Sequence, residues 1–190
     1  MTRWKVHGER SLHESEWLRL ELADVELTDG TRLDHYVIRI PFEVVSLVVS
    51  DADGCVLLIW RYRFITKQWC WDVPAGRVAS GEAPADAAAR ASIEETGWRP
   101  GAVRFLGDYH PTPGVSDQRF GVYVANGAER VADPNPNEVE RVEWVPLARV
   151  RKLLRDGQVD GLSLTSLLWA LEAGELAEPG TSPPRTDVSP

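Results

Sequence analysis

The alternation of apolar and polar side chains indicates β-structure at the start of the chain. Residues 17–23 alternate with a period of two, which is typical of a half-buried strand. Asp29 and Gly30 follow, and this dipeptide favours a tight hairpin turn. The partner strand covers residues 35–40 and is closed by Pro41. The pattern therefore predicts a small antiparallel β layer over residues 1–41.

A second domain is predicted over residues 42–178. The β-branched run at 44–49 is almost continuously apolar, which is typical of a strand covered on both faces. Residues 179–190 are rich in Pro, Ser and Thr and are predicted to be a disordered tail. The same patterns predict further strands at 55–60, 103–109 and 119–125, and helices at 147–156 and 162–171, the latter capped by Ser163.

The region after the last of these strands contains two candidate carboxylates. Residues 126–137 are rich in Pro, Asn and Asp, which predicts a surface loop. Glu138 and Glu140 then alternate with valines, so on a strand edge both would point the same way. Two interpretations remain open here: a solvated strand face, or carboxylates that contribute to a site.

The segment 76–98 carries the strongest indication of chemistry. Pro84 and Gly97 stand where a helix begins and ends, because Pro fits the first helical turn and Gly fits the position after the last. Glu94 and Glu95 fall in the last turn, where the helix dipole disfavours negative charge. Such a pair needs a compensating cation, and a divalent metal is one candidate.

The composition excludes several classes of protein. A formal net charge of −8 over 190 residues argues against a general nucleic-acid surface. Cys55 and Cys70 have no paired or metal-ligand spacing, so neither a disulfide framework nor a zinc site is predicted. Residues 1–5 lead into no apolar core, and no apolar run approaches membrane-spanning length. We therefore expect a cytoplasmic protein without a membrane partner.

The segment 76–98 resembles the Nudix box. That box has Gly, five residues, Glu, seven residues, and then Arg-Glu-apolar-any-Glu-Glu-any-Gly-apolar. This chain departs from it at Ala91, where the family has Glu, and at Ser92, where the family has an apolar residue. The positions that match, without insertion or deletion, are Gly76, Glu82, Arg90, Glu94, Glu95, Gly97 and Trp98.

The resemblance implies a fold and a metal site. The fold is the α/β (α+β sandwich) Nudix fold, with a mixed β-sheet between helices and an N-terminal β layer through which relatives of the ADP-ribose pyrophosphatase type dimerise. Mg²⁺, or Mn²⁺, would be bound by the Ala75 carbonyl, Glu94 and Glu95, with Glu138 as a further ligand or general base. The catalytic candidates are thus Glu94, Glu95 and Glu138, whereas Gly76, Glu82, Arg90 and Gly97 have structural roles.

The missing box carboxylate would have been a neighbour of Glu95. At about 100° per residue, position 91 lies within about 40° of position 95 on the helix. The resemblance makes position 91 a metal-ligand position, so its replacement by Ala91 weakens the implied metal site.

Four further residues are candidates for binding the substrate. Arg61 and Arg63 stand two apart and would share one face of a strand, and Arg is suited to phosphate. The place of Arg63 is similar to that of a Tyr-Arg pair in ADP-ribose-type Nudix enzymes, and Pro113, fifteen residues beyond Trp98, is similar to a proline found in them. Glu140 is the remaining candidate for substrate binding.

The resulting hypothesis is metal-dependent hydrolysis of the pyrophosphate of a nucleoside diphosphate linked to another moiety. The implied substrates are of the ADP-ribose or nucleotide-sugar class, and the implied assembly is a homodimer without a nucleic-acid partner. The alternative is a catalytically weak or inactive Nudix-fold protein that binds a nucleotide-type ligand, and Ala91 is its basis.

Overall fold

The computed structural model describes residues 3–177, so the predicted tail at 179–190 lies outside the described residues. The chain divides into two compact units. The first comprises residues up to 43 together with residues 109–120, and the second comprises residues 44–108 and those from 121 onward. Among the described residues, no helix is long and apolar enough to span a membrane.

The first unit contains a three-stranded antiparallel sheet in the order β1–β2–β3. Its strands are β1 (Lys5–Glu14), β2 (Arg19–Glu26) and β3 (Arg32–Arg39). The predicted hairpin turn is confirmed, because the Asp29 carboxylate accepts a hydrogen bond from the backbone N–H of Thr31 at 2.9 Å. Strand β1 is longer than its mixed sequence suggests and is exposed along its whole length.

Residues 109–120 belong to the first unit, whereas the sequence pattern assigned them to the second domain. The backbone N–H of Ile38 donates to the carbonyl of Val115 at 2.8 Å. The carboxylate of Asp117 accepts from the backbone N–H of Ile40 at 3.1 Å, across 77 positions of sequence. These hydrogen bonds satisfy backbone groups at the end of β3, and no local sequence pattern predicts them.

The second unit is built on a mixed seven-stranded sheet. The sheet consists of β4 (Val44–Ser50), β5 (Cys55–Arg63), β6 (Gln68–Asp72), β7 (Ala75–Arg77), β9 (Arg104–Tyr109), β10 (Phe120–Asn126) and β12 (Arg141–Pro146). Its main path runs β12–β5–β4–β10–β9, while β6 pairs with β5 and β7 pairs with β4.

Helices pack on both faces of this sheet. They are α1 (Pro84–Thr96), α2 (Leu147–Arg155) and α3 (Gly161–Glu172). On one face, Val45 of β4 packs with Ala87 of α1 in a buried cluster. On the other, Val48 packs with Leu147 of α2 and Leu167 of α3. The predicted strand at 44–49 is thus confirmed, and its continuous apolar run follows from burial on both faces.

The predicted ends of helix α1 are also confirmed. The helix begins at Pro84, and Gly97 follows it in the left-handed conformation with φ of 77°. A Cβ atom at Gly97 would lie 2.2 Å from the carbonyl oxygen of Ala132. Both the backbone conformation and the close approach of a second segment therefore require glycine at this position.

Two predictions for residues 126–140 are wrong. The surface loop contains a short strand, β11 (Ala128–Arg130), which pairs antiparallel with β8 (Trp98–Pro100). Glu138 lies in a turn, and strand β12 begins only after Glu140, so the two carboxylates do not share a strand face. The first prediction failed because a strand of only three residues gives little signal among the neighbouring prolines and asparagines. The second failed because the alternation of Glu138, Val139 and Glu140 is too short to distinguish a turn from a strand.

The predicted cap of helix α3 is also wrong. The helix begins at Gly161, and its N-cap is Asp160, whose carboxylate accepts from the backbone N–H of Gly161 at 2.6 Å. Ser163 lies inside the first turn and has other hydrogen-bond partners. Both residue types favour helix starts, and the sequence alone did not decide between positions three apart.

Candidate active site

The loop before helix α1 is fixed by an ion pair. Arg90 donates from Nε to Glu82 Oε1 at 2.8 Å and from Nη2 to Oε2 at 2.9 Å, and Nη2 also donates to the carbonyl of Arg77. The backbone N–H of Ala79 donates to Glu82 as well. These hydrogen bonds, first that from Arg90, lower the pKa of Glu82 to about 2. Glu82 and Arg90 therefore tie the loop to the helix.

The two carboxylates in the last turn of α1 have different surroundings. Glu94 is 56% exposed and accepts from Nη1 of Arg90 at 2.9 Å. Glu95 is only 5% exposed and points into the second unit. Its Oε1 accepts from Arg61 Nη1 at 2.7 Å and its Oε2 from the backbone N–H of Ala75 at 2.9 Å. The compensating cation next to each carboxylate is therefore an arginine.

Burial sets the acidity of Glu95. It raises the pKa of the carboxyl group, and the hydrogen bond and positive charge of Arg61 act in the opposite direction. The negative charge of Glu138 adds to the rise. Glu138 is therefore electrostatically coupled to Glu95, although the two residues lie on separate elements.

Both departures from the box pattern are packed inside the unit. Ala91 is 2% exposed, and its Cβ atom would lie 2.9 Å from a Cβ atom placed on Gly76. Ser92 is fully buried and donates from Oγ to the carbonyl of Trp98 at 2.9 Å. The methyl group of Ala91 thus occupies a tight contact with strand β7, one helical turn from Glu95.

A buried carboxylate that sequence analysis missed lies between the two candidate arginines. Asp72 is 1% exposed, and its Oδ2 accepts from Arg63 Nη2 at 2.6 Å. Arg61 Nε lies 3.3 Å from the same oxygen. Ser163 donates to Asp72 Oδ1 at 3.0 Å. The only local signal was an acidic residue at the end of an apolar strand, which does not identify a partner.

Within the described residues, three guanidinium nitrogens form no hydrogen bond: Nε and Nη2 of Arg61 and Nε of Arg63. Two of them still lie beside a carboxylate oxygen, Arg61 Nε at 3.3 Å from Asp72 and Arg63 Nε at 3.7 Å from Asp160. Arg61 is 9% exposed and the side chain of Arg63 is 40% exposed, and carboxylates of Glu95 and Asp72 lie beside the two guanidinium groups. A cavity of about 490 Å³ adjoins them. Its lining consists of Arg61, Tyr62, Arg63, Phe64, Ile65, Thr66, Glu138 and Asp160. An oxyanion bound in this cavity would therefore meet the positive charge of two arginines.

The other predicted site residues lie in different places. Glu138 lines the cavity and accepts from Asn135 Nδ2 at 2.9 Å. Glu140 is exposed, and its backbone N–H donates to the carbonyl of Trp60. Pro113 lies in the first unit, in the turn where Val115 and Ser116 donate to Thr112. Of these candidates, the structure places only Glu138 at the arginine-lined cavity.

Carboxylates do not gather here as a compact metal cage. Within the described residues, the group of acidic, Cys and His donors that falls inside 4.8 Å is Cys70, Asp72 and Asp160. Burial, and then the charge of Asp72, raises the pKa of the Cys70 thiol to about 11, so the thiolate that binds metals is disfavoured. Arg63 already neutralises Asp72. We assign no metal to this group.

Two family models match the chain. The model described as NUDIX domain covers residues 41–165, and the one described as nucleoside diphosphate sugar hydrolase N-terminal domain covers residues 4–38. The first match includes every residue that lines the arginine cavity, and the second lies within the first compact unit.

Similar proteins extend these matches over most of the chain. The chain is 40% identical over 157 residues to a CMP-5'-(N-acetyl-N-hydroxy-3-aminopropyl)phosphonate hydrolase of Streptomyces rubellomurinus, which covers 82% of this chain and 76% of the relative. It is 29% identical over 163 residues to an ADP-ribose pyrophosphatase of Mycobacterium tuberculosis, with coverages of 83% and 78%. A solved structure of an ADP compounds hydrolase shares the fold, with a TM-score of 0.80, 21% identity, and coverages of 91% and 95%.

Proposed function

The chain belongs to the Nudix family of hydrolases, and from this premise we propose that it cleaves the diphosphate linkage of a nucleoside diphosphate joined to another group. The observation that carries the proposal is the pair of arginines, Arg61 and Arg63, that line one cavity together with Glu138, while Arg61 also binds Glu95. Guanidinium groups bind phosphate oxygens with paired, charge-assisted hydrogen bonds. The predicted fold class is confirmed by the family match and the solved structure.

The relatives narrow the class of substrate. One is named for a CMP-linked phosphonate and another for ADP-ribose, and both compounds contain two phosphorus atoms joined through oxygen. We propose that this chain accepts a nucleotide whose phosphate is linked in this way to a second phosphorus atom, in either a sugar phosphate or a phosphonate. The lining of the cavity suits such a ligand, since it combines the charged Arg61 and Arg63 with the apolar Phe64 and Ile65.

A divalent ion, Mg²⁺ or Mn²⁺, fits this site in part. Glu95 and Glu138 are coupled carboxylates, and oxygen ligands suit these ions. The proposed ligands are these two groups and the Ala75 carbonyl, with Glu94 as a further candidate. Glu95 would have to give up part of its bonding to Arg61 and the Ala75 N–H, and Glu94 its bond from Arg90. When bound, the ion would neutralise phosphate oxygens and increase the acidity of water.

The side chains divide the remaining work. Arg61 and Arg63 hold the phosphate oxygens, and Phe64 and Ile65 offer apolar surface to the group attached to them. Glu138, at the cavity wall, takes a proton from the attacking water. The water oxygen forms a bond to one phosphorus atom as the bond from that atom to the bridging oxygen breaks. The products are a nucleoside monophosphate and a second phosphorus acid monoester or phosphonate.

A substrate panel tests this function. ADP-ribose, ADP-glucose and a CMP-linked aminoalkylphosphonate would be incubated with the protein and Mg²⁺ or Mn²⁺, and nucleoside monophosphates would be separated by chromatography. We expect release from at least one compound, and loss of that release in EDTA and in Glu95→Gln. If no compound is cleaved with either metal at high enzyme concentration, the hydrolase proposal fails.

The second candidate function is nucleotide binding without turnover. Ala91 favours it, since the side chain at this box position is a buried methyl group rather than a carboxylate. A protein of this kind would bind members of the panel in calorimetry and release no monophosphate. Binding together with cleavage would exclude it.

We also propose a homodimer that forms through the sheet of the first unit, in the cytoplasm. Trp4 and Val6, at the start of this sheet, are 52% and 59% exposed, and exposed apolar side chains of this kind can contribute to an interface. Light scattering is expected to give the mass of a dimer, and a stable monomer at micromolar concentration would contradict the proposal. Cell fractionation tests the location.

A further inference from the structure

Ser163, in the first turn of helix α3, is hydrogen-bonded to the carboxylate that contacts the two arginines of the cavity. Ser163 is 2% exposed. Its Oγ accepts a hydrogen bond from the backbone N–H of Val73 at 3.0 Å and donates one to Asp72 Oδ1 at 3.0 Å. Ser163 thus fixes both the backbone that follows strand β6 and the carboxylate at the end of that strand.

Asp72 in turn contacts both arginines. Its second oxygen, Oδ2, accepts from Arg63 Nη2 at 2.6 Å and lies 3.3 Å from Arg61 Nε. Because Ser163 holds Oδ1, the carboxylate cannot rotate freely, and Oδ2 stays between the two guanidinium groups. The guanidinium groups of the two residues that line the cavity are then held in place.

Helix α3 acts on Arg63 at a second point. Its N-cap residue, Asp160, binds the backbone N–H of Gly161 with one oxygen. The other oxygen lies 3.7 Å from Arg63 Nε, and Asp160 lines the cavity. Residues at the start of α3 therefore contact both Asp72 and Arg63. The position of this helix is thus linked to the geometry of the cavity.

We propose that Ser163 and Asp72 are positioning residues, in which the hydroxyl group of Ser163 fixes the Asp72 carboxylate so that it orients Arg61 and Arg63 toward phosphate oxygens. This inference rests on the proposed function, because it assigns the same cavity to a diphosphate. Neither residue contacts the ligand in this scheme. Two donors that face a diphosphate gain most when they are oriented before binding, since ordering them on binding costs free energy.

A second buried serine on α3 provides a matched control. Ser166 is fully buried, donates to the Leu162 carbonyl at 2.7 Å and lies 2.8 Å from the hydroxyl oxygen of Ser46. Its partners do not include Asp72 or either arginine. Ser166→Ala therefore removes hydrogen bonds from the same helix without touching the chain of contacts to the cavity.

The test compares Ser163→Ala, Ser166→Ala and Ser163→Thr with the wild-type protein. Calorimetry measures the affinity for inorganic pyrophosphate, and urea unfolding measures stability. Nuclear magnetic resonance of the arginine Nε–H groups reports on Arg61 and Arg63 without any ligand. We expect both alanine variants to lose stability, but only Ser163→Ala to shift the Arg61 and Arg63 signals. We expect it alone to bind pyrophosphate about fivefold more weakly, the factor for one hydrogen bond of ordinary net strength. Ser163→Thr keeps the hydroxyl group and should recover part of the affinity.

Three results would overturn the inference. If both alanine variants bind pyrophosphate as tightly as the wild-type protein does, Ser163 has a structural role only, and the proposed function survives. If the arginine signals do not move in Ser163→Ala, the contact chain does not orient the guanidinium groups. If the wild-type protein itself fails to bind pyrophosphate, the phosphate site and the proposed function both fail, and this inference fails with them.

Discussion

An Ala91→Glu variant is expected to bind Mg²⁺ more tightly than the wild-type protein and to turn over its best substrate about 10- to 100-fold faster, the range seen when support for a metal is gained or lost. The reason is position. Ala91 lies one helical turn before Glu95, on the buried side of α1, next to Gly76 of strand β7. A carboxylate there would join Glu95 in facing the same divalent ion.

The same substitution should cost stability when metal is absent. Position 91 is 2% exposed and in tight contact with Gly76, and overpacking of a core costs about 1–3 kcal/mol. A second buried carboxylate beside Glu95 adds repulsion. A metal at 100 times its dissociation constant would return about 2.7 kcal/mol. Urea unfolding in EDTA and in Mg²⁺ is therefore expected to differ far more for this variant than for wild type.

Ala91→Gln is the matched control, since glutamine has nearly the same volume and no charge. We expect it to lose stability in both conditions and to gain neither metal affinity nor turnover. If Mg²⁺ stabilises the Gln and Glu variants equally, the carboxylate at 91 does not face the metal. Rapid hydrolysis by wild type, with Ala91→Glu neutral or harmful, would likewise mean that the metal does not face position 91 and that the carboxylates already present, Glu138 among them, are sufficient to hold it.

The last turn of α1 shows how far sequence analysis could go. Two adjacent carboxylates at a helix C-terminus indicated a compensating cation, and the structure supplies two. Arg90 stands four residues before Glu94 on the same helix, a spacing at which such pairs form. Arg61 reaches Glu95 from strand β5, 34 positions away. The first pair could be inferred from spacing, whereas the second depends on how the strand and the helix pack.

Elements with strong local signals were predicted correctly. The hairpin at Asp29 and Gly30, the strand at 44–49, and the ends of α1 at Pro84 and Gly97 each depend on backbone preferences or burial of neighbouring residues. In such segments the sequence within one turn or one strand contains most of the determining interactions.

Long-range polar contacts were not predictable in this way. Asp72 and Ser163 are 91 positions apart, and the helix-cap pattern that drew attention to Ser163 does not identify Asp72 as its partner. The hydrogen bonds that join residues 109–120 to β3 span a similar distance in sequence. A single buried hydrogen bond leaves no periodicity in the sequence, so only the folded chain reveals these contacts.

The central claim is that the arginine cavity holds the diphosphate of the ligand, and Arg63 is the residue on which it can be tested with least damage to the fold. Its side chain is 40% exposed, so its removal opens no deep cavity. Asp72 would keep the hydrogen bond from Ser163 and the nearby charge of Arg61. Loss of a charge-assisted hydrogen bond costs about 1.5–3 kcal/mol, which corresponds to a fall in affinity of about 10- to 100-fold.

The most direct measurement is a calorimetric titration of wild type, Arg63→Ala and Arg104→Ala with the α,β-methylene analogue of ADP, in Mg²⁺ and in EDTA. Arg104 is also an exposed arginine paired with a carboxylate, that of Glu175, and it does not line the cavity. We predict a 10- to 100-fold loss of affinity in Arg63→Ala at about wild-type thermal stability, and an unchanged affinity in Arg104→Ala. Equal affinity in all three proteins would contradict the assignment of the diphosphate to this cavity.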